Sequence, residues 1–115
     1  MTYNTISEMF LNTVVKYSDK KLFNYKKDNN WNSLTGSDIK SIVEKISFAL
    51  HRYNIRSQDK VAILSSTNYR WPLCDYGIIC SGAVTVTIYP TLLPDQIVHI
   101  INDSDSRLIF VENEI

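Results

Sequence analysis

The sequence predicts an α/β fold built on a parallel sheet, and three observations carry that prediction. Val61, Ala62, Ile63 and Leu64 form an apolar run without alternation, the mark of a strand covered on both faces. Two further short strand patterns, Ala83 to Ile88 and Arg107 to Val111, follow it at intervals filled by helical patterns. The links between them are short, which requires parallel strands joined by right-handed crossovers. Residues 60–112 therefore read as a Rossmann-like βαβαβ unit, preceded by a helix, a β-hairpin and a long helix.

Each element has a local reason. Thr5 and Glu8 stand at capping-box spacing, and Ile6, Met9, Phe10, Val14 and Tyr17 follow at helical intervals, so a first helix runs to about Ser18 and Asp19. Residues 22–25 and 31–34 flank Asp28, Asn29 and Asn30, which tolerate positive φ; this is a hairpin. Thr35 or Ser37 caps a long helix to about Tyr53, with Asn54 as its C-cap. Its stripe is Ile39, Ile42, Val43, Ile46, Ala49, Leu50 and Tyr53. After the strand at 61–64 comes a polar loop, residues 65–70, and a helix over 71–81, with Pro72 in its first turn and Gly82 ending it. A strand over 83–88, a loop over 90–94, a short helix over 95–102 and a strand over 107–111 complete the chain.

The 115 residues suffice to bury a core, and 44% hydrophobic with 21% charged composition is that of a globular domain. Lys plus Arg equals Asp plus Glu at 12 each, which removes any bulk electrostatic reason to bind nucleic acid or an anionic membrane. The charges are unevenly spread: residues 1–60 carry ten basic and six acidic side chains, residues 61–115 two and six. This reads first as solvated faces. The start of the chain lacks the basic and apolar regions of a signal peptide. Residues 76–94 are uncharged but hold Gly, Thr and Pro at a density unsuited to a membrane span. Cys74 and Cys80 are six apart on one expected helix, where they cannot pair, so they are expected reduced and buried, in a cytoplasmic protein.

Ligands of open parallel sheets bind beyond the carboxyl ends of the strands. Ser65, Ser66, Thr67 and Asn68, then Tyr89, Pro90 and Thr91, then Glu112 and Asn113 emerge there. The first group offers hydroxyls and amides to an anion, or simply caps a helix entry. Gly36, Gly77 and Gly82 are the only glycines, too few for a dinucleotide loop or a P-loop. His51 and His99 have no nucleophile or carboxylate at a diagnostic spacing and read as surface or half-buried histidines. Asp103 and Asp105, with Ser104 and Ser106, read as a turn and not a calcium loop. Trp31 and Trp71 read as packing anchors. No residue is assigned a catalytic, cofactor-binding or metal-ligating role.

A family resemblance extends this reading. Residues 61–65, Thr67, Asn68, Tyr69, Arg70 and Trp71, then Asp75, the run Gly82, Ala83, Val84, Thr85, Val86, Thr87, Ile88, Tyr89, Pro90 and Thr91, then Gln96, Ile97, Asn102, Asp103, Ser104 and residues 110–113 resemble the N-terminal region of AMP-forming long-chain fatty acid–CoA ligases. These are adenylate-forming enzymes. The run from Gly82 to Thr91 is the most specific part, and the upstream helix, Trp-bearing hairpin and long helix fit as well. Two positions depart: Arg70 stands where the family usually has an acid, and Thr87 where it often has proline.

The resemblance implies ATP, magnesium and coenzyme A as cofactors of the complete enzyme, none bound by this segment alone. The family's phosphate loop with its lysine, its adenine and ribose motifs and its lid lysine have no counterpart here. The chain is accordingly expected to be a single, incomplete N-terminal subdomain, 1–59 a helix–hairpin–helix layer and 60–115 a βαβαβ layer. It is expected to be inactive alone, with Glu112, Asn113, Glu114 and Ile115 marking a truncation. The expected partners are the rest of the ligase or further copies joined through uncovered sheet edges, with no nucleic acid and no transmembrane segment. A cytoplasmic location follows, with peripheral membrane association left open for the complete enzyme. The alternative is a non-catalytic α/β binding or interaction module.

Overall fold

The computed structural model describes residues 2–113; Met1 and the expected chain end at Glu114 and Ile115 lie outside the described residues. The elements run α1 (Ile6–Lys16), β1 (Lys21–Lys27), β2 (Asn30–Thr35), α2 (Gly36–Arg52), β3 (Lys60–Leu64), α3 (Arg70–Cys80), β4 (Val84–Ile88), α4 (Pro94–Ser104) and β5 (Leu108–Val111). The last helix is longer than expected, because Pro94 serves as its first residue and the helix continues to a left-handed Asp105 at φ 53°.

Capping chemistry sets the boundaries. Thr5 Oγ1 accepts from the Glu8 amide at 3.1 Å, while the Glu8 carboxylate reaches back to the Asn4 amide at 2.9 Å. Thr35, not Ser37, caps α2 in a reciprocal box with Asp38. At its other end the Ile55 amide bonds the Leu50 carbonyl at 3.0 Å around a left-handed Asn54, so Asn54 lies one residue beyond the Tyr53 cap. Tyr53, expected in the apolar stripe, is 72% exposed because the helix stops before it. Asp28 and Asn29, at φ 51° and 62°, form the two-residue hairpin turn.

β3 is the central strand of a three-stranded parallel sheet in the order β4-β3-β5. Val61 and Ile63 pack on one face with Leu50, Ile55 and Ile78, beneath α2 and α3. Ala62 and Leu64 pack on the other with Ile88 and the partly buried Ile97, Ile100 and Ile101 of α4. The first crossover runs from β3 to β4 over the α3 face and the second from β4 back across β3 to β5 over the α4 face; opposite directions over opposite faces give them one hand. A second helical layer, Phe10 and Val14 of α1 with Ile39, Val43 and Leu73, backs the α2–α3 face. Each fully buried aliphatic side chain contributes about 1.5–3 kcal/mol.

The two faces are unequally covered. No residue of α4 is fully buried. Ile109 and Val111 of β5, on the α4 face by their register with Ala62 and Leu64, are 36% and 47% exposed. Trp31 also departs from expectation: it is 73% exposed and faces Lys26 across the hairpin. Ile6 and Met9 stand outside the core as well, leaving Phe10 and Val14 as the buried residues of α1.

Candidate functional site

Because the three strands are parallel, their carboxyl ends open on one edge, and the loops there lead to helices on opposite faces. The crevice between β3 and β4 is therefore the topological switch point of the sheet. It forms a hollow of about 410 Å³ lined by Ser65, Ser66, Thr67, Thr87, Tyr89 and Thr91. A second hollow of about 320 Å³ lies between β3 and β5, with Phe110 and Cys74 as walls and Asn68, Arg70 and Glu112 at its rim. Half-buried Trp71 lines both and packs against the β3 core, as its reading as an anchor requires.

The loop after β3 is tied to the end of β5. The Ser66 amide donates to Glu112 Oε2 at 3.0 Å, and the Ser66 hydroxyl donates to the same carboxylate at 2.7 Å. These bonds hold the Glu112 carboxyl below the usual carboxylate range, the Ser66 hydroxyl being the largest cause. Asn68 turns its Oδ1 to the Arg70 amide at 2.9 Å, which closes the entry to α3, and its Nδ2 to the Ser66 carbonyl at 3.1 Å. Of the two readings for residues 65–68, these bonds favour the helix entry, closed by Asn68 one residue before the Tyr69 cap, which itself makes no side-chain cap bond. A carboxylate already occupies the donors that an anionic ligand would use.

Arg70, the charge reversal in the sequence, forms no ion pair among the described residues. Its Nε donates to the Tyr69 hydroxyl at 3.1 Å and its guanidinium stands 5.5 Å from that ring's centre. Tyr69 in turn stacks on Tyr25 of the hairpin at 3.9 Å, which joins β1 to the start of α3. The Tyr25–Tyr69 stack and the Ser66–Glu112 tie escaped the sequence reading. Each joins residues far apart in the chain, and no local spacing announces them.

The other candidates stay apart. His51 ends α2 and His99 lies on α4, both exposed. The turn expected over residues 103–106 begins later: Asp103 and Ser104 are the last residues of α4, Asp105 is its left-handed cap, and the Ser104 and Ser106 hydroxyls meet at 2.7 Å across the exit. Cys74 and Cys80 are free and half-buried, not fully buried, and burial pushes both thiols up, away from the reactive thiolate. No group of three His, Cys, Asp or Glu residues suited to a metal occurs among the described residues. The switch-point hollow carries neutral hydroxyls and no lysine or arginine in its lining. That set does not fit a magnesium–triphosphate, which needs positioned cations and free backbone donors. Among the described residues no helix is long and apolar enough to cross a membrane.

Comparison with known proteins agrees with this fold. The profile of a family described as AMP-binding enzyme matches residues 10–115. The long-chain-fatty-acid–CoA ligase FadD15 of Mycobacterium bovis is 30% identical over 87 residues, covering 76% of this chain and 14% of that protein. The long-chain-fatty-acid–CoA ligase ACSBG1 of Bos taurus is 23% identical over 113 residues, 98% of this chain and 16% of its own. The crystal structure of a fatty acyl-adenylate ligase from L. pneumophila, in complex with acyl adenylate and pyrophosphate, superposes with a TM-score of 0.86 at 16% identity, over 96% of this chain and 20% of that one. The chain thus spans a small part of the proteins it matches.

Proposed function

This chain belongs to the AMP-binding enzyme family, and from that premise we propose that it forms the N-terminal part of a long-chain fatty acid–CoA ligase and does not catalyse alone. The complete enzyme joins fatty acid to ATP as an acyl-adenylate with loss of diphosphate, then passes the acyl group to coenzyme A and releases AMP. In this reading the chain is one subdomain, residues 1–59 its helix–hairpin–helix layer and 60–115 its βαβαβ layer. ATP, magnesium and coenzyme A are held by the remainder of the ligase. No side chain of this segment touches the reacting atoms, and its location is cytoplasmic.

The observation that supports inactivity alone is the Ser66–Glu112 tie, which occupies the amide and hydroxyl of Ser66, in the loop after β3, with a carboxylate of the same chain. A loop that accepts a carboxylate from its own chain repels a phosphate. The long-chain branch of the family is supported by the two ligase relatives. The remaining surface supports a partner: the outer edges of β4 and β5 are unpaired among the described residues. We assign that partner as the rest of the ligase, with self-association in its absence.

Fatty-acid-dependent AMP release by the purified chain tests the proposal. No turnover is expected from the chain alone. Activity is expected on mixing it with a relative that lacks the corresponding segment. Turnover by the isolated chain would overturn the reading.

A further inference from the structure

Phe48 stands 73% exposed on α2, and it flanks a hollow. The hollow measures about 380 Å³ and runs between α1, α2 and the end of α3, with Leu11, Val43, Phe48, Ile55 and Cys80 as its apolar wall. Ser47 and Ser81 line it too, but their hydroxyls donate to the Gly77 and Ile78 carbonyls at 2.7 and 2.6 Å, so neither proton is free. A second hollow, of about 540 Å³, shares His51, Ile55 and Ser81 with the first and adds Asn54, Arg56 and Ser57. The two make one groove, apolar at one end and polar at the other.

Charge is placed unequally along this groove. Towards the apolar end, Glu44 is held in an ion pair with Lys40, one turn back on α2. At the polar end, Arg56 is exposed and forms no salt bridge among the described residues. Asp59, the one acid between α2 and β3, is already engaged: its carboxylate accepts from the Arg56 amide at 2.7 Å and stands 3.7 Å from the Arg107 guanidinium. An apolar channel therefore ends at an uncommitted guanidinium, whose planar fork matches a carboxylate or a phosphate. Ile55 leads into β3 and Ser81 into β4, so the groove opens at the amino ends of the parallel strands. The switch-point hollow opens at their carboxyl ends.

We propose that this groove binds an amphipathic anion, an alkyl chain carrying a carboxylate or phosphate head. The chain lies along Leu11, Val43, Phe48 and Ile55, and the head meets Arg56, with His51, Asn54 and Ser57 beside it to donate hydrogen bonds. The direction is fixed by charge. A reversed ligand would set its anion beside Glu44, about 10 Å from His51 along α2 at 1.5 Å per residue, and would bury Arg56 against methylenes. The apolar hollow has the volume of a small-molecule site, with few polar groups and those gathered at one end.

This inference goes beyond the ligase reading, and its test needs no turnover. Octanoate and octyl phosphate are titrated into the chain by calorimetry, with octanol and octylamine as the neutral and cationic counterparts. Saturable binding of an anion is expected, with octanol weaker and octylamine absent; the tighter of the two anions identifies the head. Bound ligand should slow alkylation of Cys80 by N-ethylmaleimide and leave Cys74, in the hollow between β3 and β5, at its own rate. Arg56→Gln should weaken octanoate about fivefold and leave octanol unchanged, while Phe48→Ala should weaken both. Both side chains are exposed, and far-UV circular dichroism verifies that the variants fold. Failure of both anions to bind saturably would overturn the proposal. So would octylamine binding as tightly as octanoate, unchanged Cys80 alkylation, or octanoate binding that Arg56→Gln leaves intact. A Phe48→Ala chain of lower oligomeric state in light scattering, with no anion bound by the wild type, would assign the groove to a second copy instead.

Discussion

Replacing Gly77 by alanine isolates the contact on which the helical layer depends. An added Cβ would overlap Cγ2 of Ile46 on α2 and stand 2.8 Å from the Ile46 Cβ. The Cβ is fixed by the α2 backbone, and the Cγ2 is held by the single χ1 rotamer that a β-branched residue strongly prefers in a helix. The helices must therefore move apart, and the bond from the Ser47 hydroxyl to the Gly77 carbonyl, 2.7 Å long, must stretch with them. Overpacking costs about 1–3 kcal/mol, and a weakened hydrogen bond adds about 1 kcal/mol. Against this, alanine is the better helix former by about 0.8–1 kcal/mol. The net expectation is a destabilisation of about 1–3 kcal/mol, or roughly 5 °C in Tm per kcal/mol. Urea and thermal unfolding followed at 222 nm measure it. Ile46→Ala made together with Gly77→Ala should cost less than the two changes summed, because the new methyl enters the space vacated by Ile46. If Gly77→Ala is neutral or stabilising, helix propensity outweighs packing at this contact and the close approach of α2 and α3 is not what holds the layer.

Three other expectations follow from single contacts. The Ser66 bonds depress the Glu112 pKa, so the tie contributes above the carboxylate's unfolded pKa and is lost as pH falls through its lower folded value. An NMR titration of Glu112 should have its midpoint below that of an exposed glutamate, and Glu112→Gln should abolish the acid-dependent change in Ser66 amide exchange; a midpoint at or above the ordinary range contradicts the tie. Thr35→Ala removes the cap of α2 and should cost about 1 kcal/mol, while Ser37→Ala should stay within about 0.5 kcal/mol; equal losses in urea melts would mean that the cap is misassigned. Placing lysine at both Ile109 and Val111, which are 36% and 47% exposed, should shift the chain toward monomer in light scattering, whereas a wild-type chain that is already monomeric would refute self-association.

How much of this was legible follows from where the information lies in the chain. The caps at Thr5 and Thr35, the positive-φ turn at Asp28 and Asn29 and the glycine end of α3 are local, and a few neighbouring residues determine each of them. The unbroken apolar run of β3 announced a strand covered on both faces, and all four of its residues from Val61 to Leu64 are buried. Side-chain fates decided by distant partners were not legible. Trp31 has the composition of a core residue, yet its strand position places it opposite Lys26. The carboxyl-edge residues were located correctly by topology, but the Ser66–Glu112 bond spans 46 positions and no pattern in the sequence encodes it.

The unequal cover of the sheet bears directly on the proposed function. On one face, α2 and α3 close over Val61 and Ile63, and α1 closes behind them. On the other, α4 alone covers Ala62, Leu64 and Ile88. A sheet covered on both faces is the condition under which parallel strands occur, and β3 meets it while β5 does not. Within the sheet the deficit lies on the β5 side and the outer edges. A free-standing binding module would have to tolerate that apolar strip in water; a segment of a ligase would bury it against later parts of its own chain.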